Sequence, residues 1–247
     1  MTGYEPRTYR DLSGGDDLIA FRVVVRETDL WIRADRDVTA EAERLVREIR
    51  AELERFIDAW PIFTESFVPI DVPDTAPEIV RRMADAARAA GVGPMAAVAG
   101  ATAEAVGRGL MTSSRTIIVE NGGDIFLASP APRDVVLMAG ASPLSGKVAF
   151  RVGPDEMPLG VCTSAGTVGH STSLGRADAA TVFSPDTALA DAVATALGNR
   201  VRAPEDIEEA LGWASSVPGV TGVAVVIGES MGVRGAVTLA PPASWEE

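Results

Sequence analysis

The sequence predicts an α+β fold in which largely antiparallel sheets are packed with helices. Two observations carry this. Helical and strand segments neither alternate strictly, as in a doubly wound sheet, nor separate into two blocks. Consecutive strands are joined across Glu27-Thr28 and across Asn121-Gly122-Gly123-Asp124 by connections short enough to be hairpins.

The elements follow in chain order. Residues 19–26 and 29–34 alternate apolar and polar side chains and read as paired strands. Residues 39–60 carry Leu45, Ile49, Leu53, Phe56, Ile57 and Trp60 at helical spacing, with Glu41 and Glu43 where a helix dipole favours them. The stretch 61–77, with Pro61, Pro69, Pro73 and Pro77, reads as a connector. Pro77 then suits a first helical position and Gly91 a left-handed stop. A further helix is expected from Pro94 toward Leu110, and its Ala, Gly and Thr residues let its backbone pack closely on a neighbour. Strands are expected over 116–120, 124–128, 135–139, 147–152, 159–163 and 178–183. Ser184-Pro185 opens a helix that closes near Gly198-Asn199. A short helix after Pro204 and strands over 220–227 and 233–239 complete the chain.

Composition bounds the function. A chain of 247 residues, 47% hydrophobic and 23% charged, can bury a sizeable core as one domain or as two intimate lobes, about 1–90 and 91–247. Its formal charge is −13, from 35 acidic and 22 basic residues. That surface repels nucleic-acid backbones and anionic lipid headgroups, but a small anion held by local amides or a metal is compatible with it. With one cysteine, Cys162, and one histidine, His170, neither a disulfide framework nor a thiolate or multi-histidine metal site is available. Any metal would be a hard ion held by oxygens, with magnesium the natural candidate. The amino terminus reads as neither a signal peptide nor a lipid-anchor site, and the weakly polar stretch 91–111 is broken by Pro94, Glu104 and Arg108. The expectation is a cytoplasmic protein.

Three segments are candidates for chemistry. Asn121-Gly122-Gly123-Asp124 is a hairpin turn by its residue types, and its paired glycines also bring amides close to a ligand with Asp124 beside them. The stretch from Thr163 to Gly175 includes Ser164, Gly166, Thr167, Gly169, His170 and Ser171. Such a loop can aim amides and hydroxyls at phosphate or ribose oxygens, although it matches neither the P-loop nor the Rossmann fingerprint. Asp191 and Thr195 stand four apart on a helix and share one face, so together they can offer two oxygens to a hard cation. Cys162 and His170 raise a nucleophile-and-base alternative, against a Cys162 that is simply a small core residue.

Taken in order, these segments resemble the ApbE-like superfamily, whose characterised members are magnesium-dependent flavin transferases. Within it the chain is most similar to a cytoplasmic branch, uncharacterised protein family 0280. Residues Ile117-Ile118-Val119-Glu120-Asn121-Gly122-Gly123-Asp124-Ile125 resemble the family's apolar strand and Gly-Gly-Asp turn. Thr163-Ser164-Ala165-Gly166 is similar to its Thr-Ser-Gly stretch, and Ala190-Asp191-Ala192-Val193-Ala194-Thr195-Ala196 to the helix bearing Asp-x-x-x-Thr. The resemblance implies an ApbE-like fold and assigns magnesium ligation to Asp191 and Thr195. The departures are specific. Where transferases carry Ala-Lys-Gly-Tyr-Ala-Val-Asp, this chain has Val98-Ala99-Gly100-Ala101-Thr102-Ala103-Glu104, and the His-Ile-Ile-Asp-Pro run is missing. These changes bear on FMN transfer to a partner protein.

The expected function is binding of a flavin (FAD or FMN) or related nucleotide with Mg, in pyrophosphate cleavage or flavin or phosphoryl transfer. Asp124, Cys162 and His170 are the candidate catalytic residues. Asn121, Gly122, Gly123, Thr163, Ser164, Gly166, Thr167, Gly169 and Ser171 are the candidate cofactor-binding set. Two alternatives stand beside this: a sulfur-assimilation (homocysteine-forming) component using Cys162, and a non-catalytic flavin- or metabolite-binding protein. The expected partner is a small nucleotide or flavin rather than nucleic acid or membrane, with homo-oligomer formation left open.

Overall fold

A computed structural model describes residues 17–165 and 175–242. The helices are Thr39–Ala59 (α1), Ile62–Glu65 (α2), Glu78–Ala90 (α3), Val98–Leu110 (α4), Thr187–Arg200 (α5) and Ile207–Ser215 (α6). The strands are Ile19–Val25 (β1), Thr28–Ala34 (β2), Ile117–Asn121 (β3), Asp124–Ala128 (β4), Arg133–Val136 (β5), Ala149–Val152 (β6), Leu159–Ser164 (β7), Ala179–Ser184 (β8), Gly222–Ile227 (β9), Ser230–Gly235 (β10) and Thr238–Ala240 (β11). Eight of them form one sheet in the order β1-β2-β3-β4-β7-β8-β9-β10, and β11-β6-β5 form a second. Every pairing is antiparallel, as the hairpin connections predict.

Alternation along the central strands decides which layer each side chain joins. Val182, Val223 and Val225 turn toward the helices, where they pack with Ala188, Ala192, Val193 and Leu197 of α5. Ala179, Phe183, Ala224 and Val226 turn the other way and meet Phe150 and Val152 of the small sheet. At the far end α1 and α4 cover β1–β4 through Val46, Val106, Leu110 and Phe126. The central strands β7, β8 and β9 are therefore buried on both faces, and α5 lies at the centre of the helical layer with nearly all its residues buried.

The structure adjusts several predicted boundaries. The helix expected to open at Ser184-Pro185 starts at Thr187, because the Asp186 carboxylate accepts the Leu189 amide at 2.9 Å and caps it. The expected strand over 233–239 breaks at Gly235, whose φ of 86° turns the chain so that β11 crosses to the second sheet. A 3-10 turn, Pro94–Ala97, precedes α4, and α2 lies inside the proline-rich connector. Among the described residues no single helix is long and apolar enough to cross a membrane.

Candidate functional site

The β3–β4 hairpin sets the first wall. Gly122 and Gly123 have φ of 70° and 110°, the two positive values a two-residue turn of this hand demands. Asn121 and Asp124 close the turn as register partners. Asp124 then pairs across the sheet with Cys162 on β7, and both side chains are buried toward the helices. A β-carbon on Gly123 would stand 3.4 Å from the Thr163 carbonyl oxygen, so the bend lies directly beside the end of β7.

The first turn of α4 closes the site from above. The Asp191 carboxylate on α5 accepts the Gly100 amide at 2.8 Å, and the Asn121 Nδ2 donates to the Ala99 carbonyl at 3.2 Å. Only glycine fits at position 100, because an added β-carbon would stand 2.4 Å from the Thr187 carbonyl oxygen and 2.7 Å from the Asp191 Cβ. Gly160 on β7, two residues before Cys162, serves the same purpose, since a β-carbon there would meet the Thr187 Cα at 2.7 Å. The small residues of α4 and β7 thus let α5 settle close to the sheet.

Three ionisable groups share this buried space. Burial, and then the neighbouring charge of Asp191, pushes the Asp124 carboxyl well above the ordinary carboxylate range. Burial raises Asp191 to about 7, opposed by the amides of Gly100 and Ala99. The Cys162 thiol is pushed up by burial and by both aspartates, and it donates weakly to the Thr187 carbonyl at 3.4 Å. That environment favours the thiol over the thiolate that a nucleophile needs. Cys162 is fully buried and packs between Asp124 and α5.

The other predicted residues distribute as follows. Asn121, Gly123, Thr163, Ser164 and Thr195 are half-buried, and Gly122 is exposed at the rim. The Thr163 hydroxyl bonds that of Thr181 at 2.9 Å. Thr163 alternates with Cys162, so the two side chains leave opposite faces of the sheet. Ser164 faces α5, with its Oγ 3.7 Å from where a β-carbon on Gly198 would stand. Gly166, Thr167, Gly169, His170 and Ser171 lie outside the described residues.

Sequence reasoning missed what Glu104 and Thr187 do. Glu104, 1% exposed, accepts Arg82 at 2.7 Å, Arg108 at 2.6 Å and the Thr187 amide at 2.9 Å. Its signal was a lone carboxylate in a helix otherwise built of small residues, which implies a buried, partnered charge. Thr187 begins the stripe Thr187, Asp191, Thr195, and its buried Oγ1 has no hydrogen-bond partner among the described residues.

With this geometry the chain can be compared with known proteins. Residues 10–229 match the family model described as AbpE bacteria. The UPF0280 protein of Methanocaldococcus jannaschii is 43% identical over 224 residues, covering 87% of this chain and 90% of that protein. The chain belongs to the ApbE-like UPF0280 family. A second family member, from Methanosarcina acetivorans, is 44% identical over 216 residues, 86% of this chain and 85% of that one. Among solved structures, the apo flavinyl transferase ApbE of Pseudomonas stutzeri has a TM-score of 0.55 at 15% identity, covering 88% of this chain and 94% of its own. The flavin transferase ApbE of Vibrio cholerae has a TM-score of 0.54 at 14% identity, covering 88% and 96%. The UPF0280 chain thus shares the α+β architecture of the transferases.

The donor set suits the hard cation that the family resemblance implies. Among the described residues no cluster of three or more His, Cys, Asp and Glu side chains could hold a metal. What the site offers is two buried carboxylates, the orphan Thr187 hydroxyl and the Thr195 hydroxyl, all oxygens. Burial and the charge of Asp191 both disfavour the charged form of Asp124, a repulsion that a divalent cation beside them would relieve.

Proposed function

We propose that this protein binds a flavin or a related nucleotide together with magnesium, where the Gly122-Gly123 bend meets α4 and α5. One observation carries the reading: Asp191 is buried at the middle of α5, on the first turn of α4 and beside Asp124. In this reading Asp191 and Thr195 hold the cation, with Thr187 within the same stripe. Asn121 keeps the first turn of α4 over the bend through its bond to Ala99. The Gly122 amide faces the diphosphate, with no β-carbon to block it, while the Gly123 amide donates to the Glu120 carboxylate at 3.2 Å and holds the bend. In hydrolysis water adds to one phosphorus as its bond to the bridging oxygen breaks, and Asp124, held toward its protonated form, would protonate that departing oxygen. A cation held by Asp191 and Thr195 would supply neutralisation of charge on the diphosphate oxygens.

The reaction class in this reading is pyrophosphate cleavage of FAD, with flavin or phosphoryl transfer as its extension. Glu104 stands where transferases have an aspartate, but its carboxylate is already occupied by Arg82, Arg108 and the Thr187 amide. Ala99, at the position of the transferase lysine, has no side-chain charge to give. Those two features favour a second reading, in which the same site binds the flavin without turnover.

The experiment is thermal melting with FAD, FMN and magnesium, alone and combined, followed by chromatography for released AMP. FAD with magnesium is expected to raise the melting temperature by several degrees, and Asp191→Asn to remove that rise. AMP release selects cleavage, and stabilisation without AMP selects binding alone. A melting temperature indifferent to every combination removes both readings.

A further inference from the structure

We infer that a second hollow, lined by Arg176 and Arg202, binds a small molecule through its phosphate or diphosphate group. Its volume is about 440 Å³, within the range of small-ligand sites, and its lining shares no residue with the Asp124–Asp191 cluster.

Among the described residues several arginines have no ion pair, and what sets Arg176 and Arg202 apart is that they line one hollow together. In a chain with 35 acidic residues, arginines are readily claimed by carboxylates: Arg22, Arg44, Arg82, Arg108, Arg133 and Arg151 each pair with one. Among the described residues neither Arg176 nor Arg202 has an ion-pair partner, yet both line the same hollow. Arg36 also lines a hollow, but Asp37, Glu41 and Glu43 share it, and those walls repel an anion. Here the single carboxylate is Asp178, whose Oδ2 already accepts the Gly228 amide at 2.7 Å.

The backbone beneath both guanidinium groups is held in place. The Arg176 amide donates to the Val201 carbonyl at 2.8 Å, and the Asp178 amide to the Val226 carbonyl at 2.8 Å. Asp206 accepts the amides of Arg202 and Ala203 at 2.8 and 3.0 Å. Two arginines are thus presented from fixed positions, which lowers the ordering cost of capturing an anion. Ala203, Pro204 and Ile227 supply an apolar wall for the uncharged part of the ligand. A phosphate has enough acceptor oxygens to engage two guanidinium forks at once, whereas a single carboxylate has two.

The test is calorimetric titration of the full chain with inorganic pyrophosphate, in EDTA and without flavin, so that it is independent of the cation-dependent site. Saturable binding is expected, weakened about tenfold by Arg176→Gln and by Arg202→Gln, and unchanged by Arg36→Gln. Both arginines are exposed, and an unchanged melting temperature shows that each variant remains folded. The inference is overturned if the native chain does not bind pyrophosphate, or if Arg36→Gln weakens binding as much as the other two. It is also overturned if citrate binds as tightly as pyrophosphate, which would leave general anion attraction only.

Discussion

Glu104 and Asp191 cap each other's helices. Glu104 on α4 accepts the Thr187 amide at the start of α5 at 2.9 Å, and Asp191 on α5 accepts the Gly100 amide in the first turn of α4 at 2.8 Å. Each carboxylate meets the positive end of the other helix, where backbone amides lack partners of their own. One of the pair is also bound by two arginines, and the other has burial as its main perturbation. The same two-helix clasp therefore contains a neutralised charge and a charge awaiting one.

The neutralised side makes the first prediction. Glu104→Ala leaves the Thr187 amide, Arg82 and Arg108 without their acceptor, and stability should fall by about 3 kcal/mol in urea titration. Glu104→Gln keeps an acceptor for the amide and should cost about half as much. If Glu104→Ala unfolds at the native urea midpoint, the clasp has no energetic role.

The other side makes stability depend on pH. The folded pKa of Asp191, about 7, lies above its ordinary value of 3.8, so the folded state binds the proton more tightly. The stability from this group is complete below about pH 4 and is lost as pH rises through about 7. The loss is at most on the order of 4 kcal/mol. Asp124 is raised by the same burial and acts in the same direction. Urea midpoints measured in EDTA from pH 4 to 8 should fall, Asp191→Asn should flatten much of that slope, and magnesium should restore stability at pH 8. Superimposable pH profiles for the native chain and Asp191→Asn rule this out.

Close approach gives a third test. Gly100→Ala places a methyl group against the Thr187 carbonyl and the Asp191 Cβ, which are backbone or short-side-chain atoms that cannot swing away. A loss of about 2 kcal/mol is expected, with weaker magnesium-dependent stabilisation because α5 is pushed off the sheet. Gly146→Ala meets open space but has φ of 72°, so its cost should be only about 1 kcal/mol and magnesium dependence should be intact.

The thiol provides a fourth. Cys162 is fully buried with its thiol pushed up, so iodoacetamide at pH 8 should label it only after unfolding in urea. Cys162→Ala should preserve any flavin- and magnesium-dependent stabilisation. Fast stoichiometric labelling of the native chain would return the sulfur reading to consideration.

Much of the architecture was legible because local patterns and the fold agree. The alternation in β1 and β2, the amphipathic period of α1, the Gly91 stop and the Gly122-Gly123 bend all appear where their residue types place them. What local pattern missed were features with distant causes. The strand over 233–239 breaks because Gly235 must pass the Thr221 carbonyl, 14 positions earlier, with a β-carbon's place only 2.4 Å from that oxygen. Glu104 looked like a substitution in a motif, and its three partners come from α3, its own helix and α5.

By itself the sequence determined the antiparallel α+β plan, the oxygen-only choice for any metal, and the helical stripe carrying Asp191 and Thr195. Those follow from periodicity, turn chemistry and residue inventory, which act over a few positions. Only the tertiary structure decided that Asp124, Cys162 and Asp191 are buried together under the first turn of α4, and that Arg176 and Arg202 line one hollow. Both outcomes depend on how strands distant in the chain, such as β4 and β7, are paired and on how closely glycines let helices approach them, and that is a property of packing rather than of any local segment.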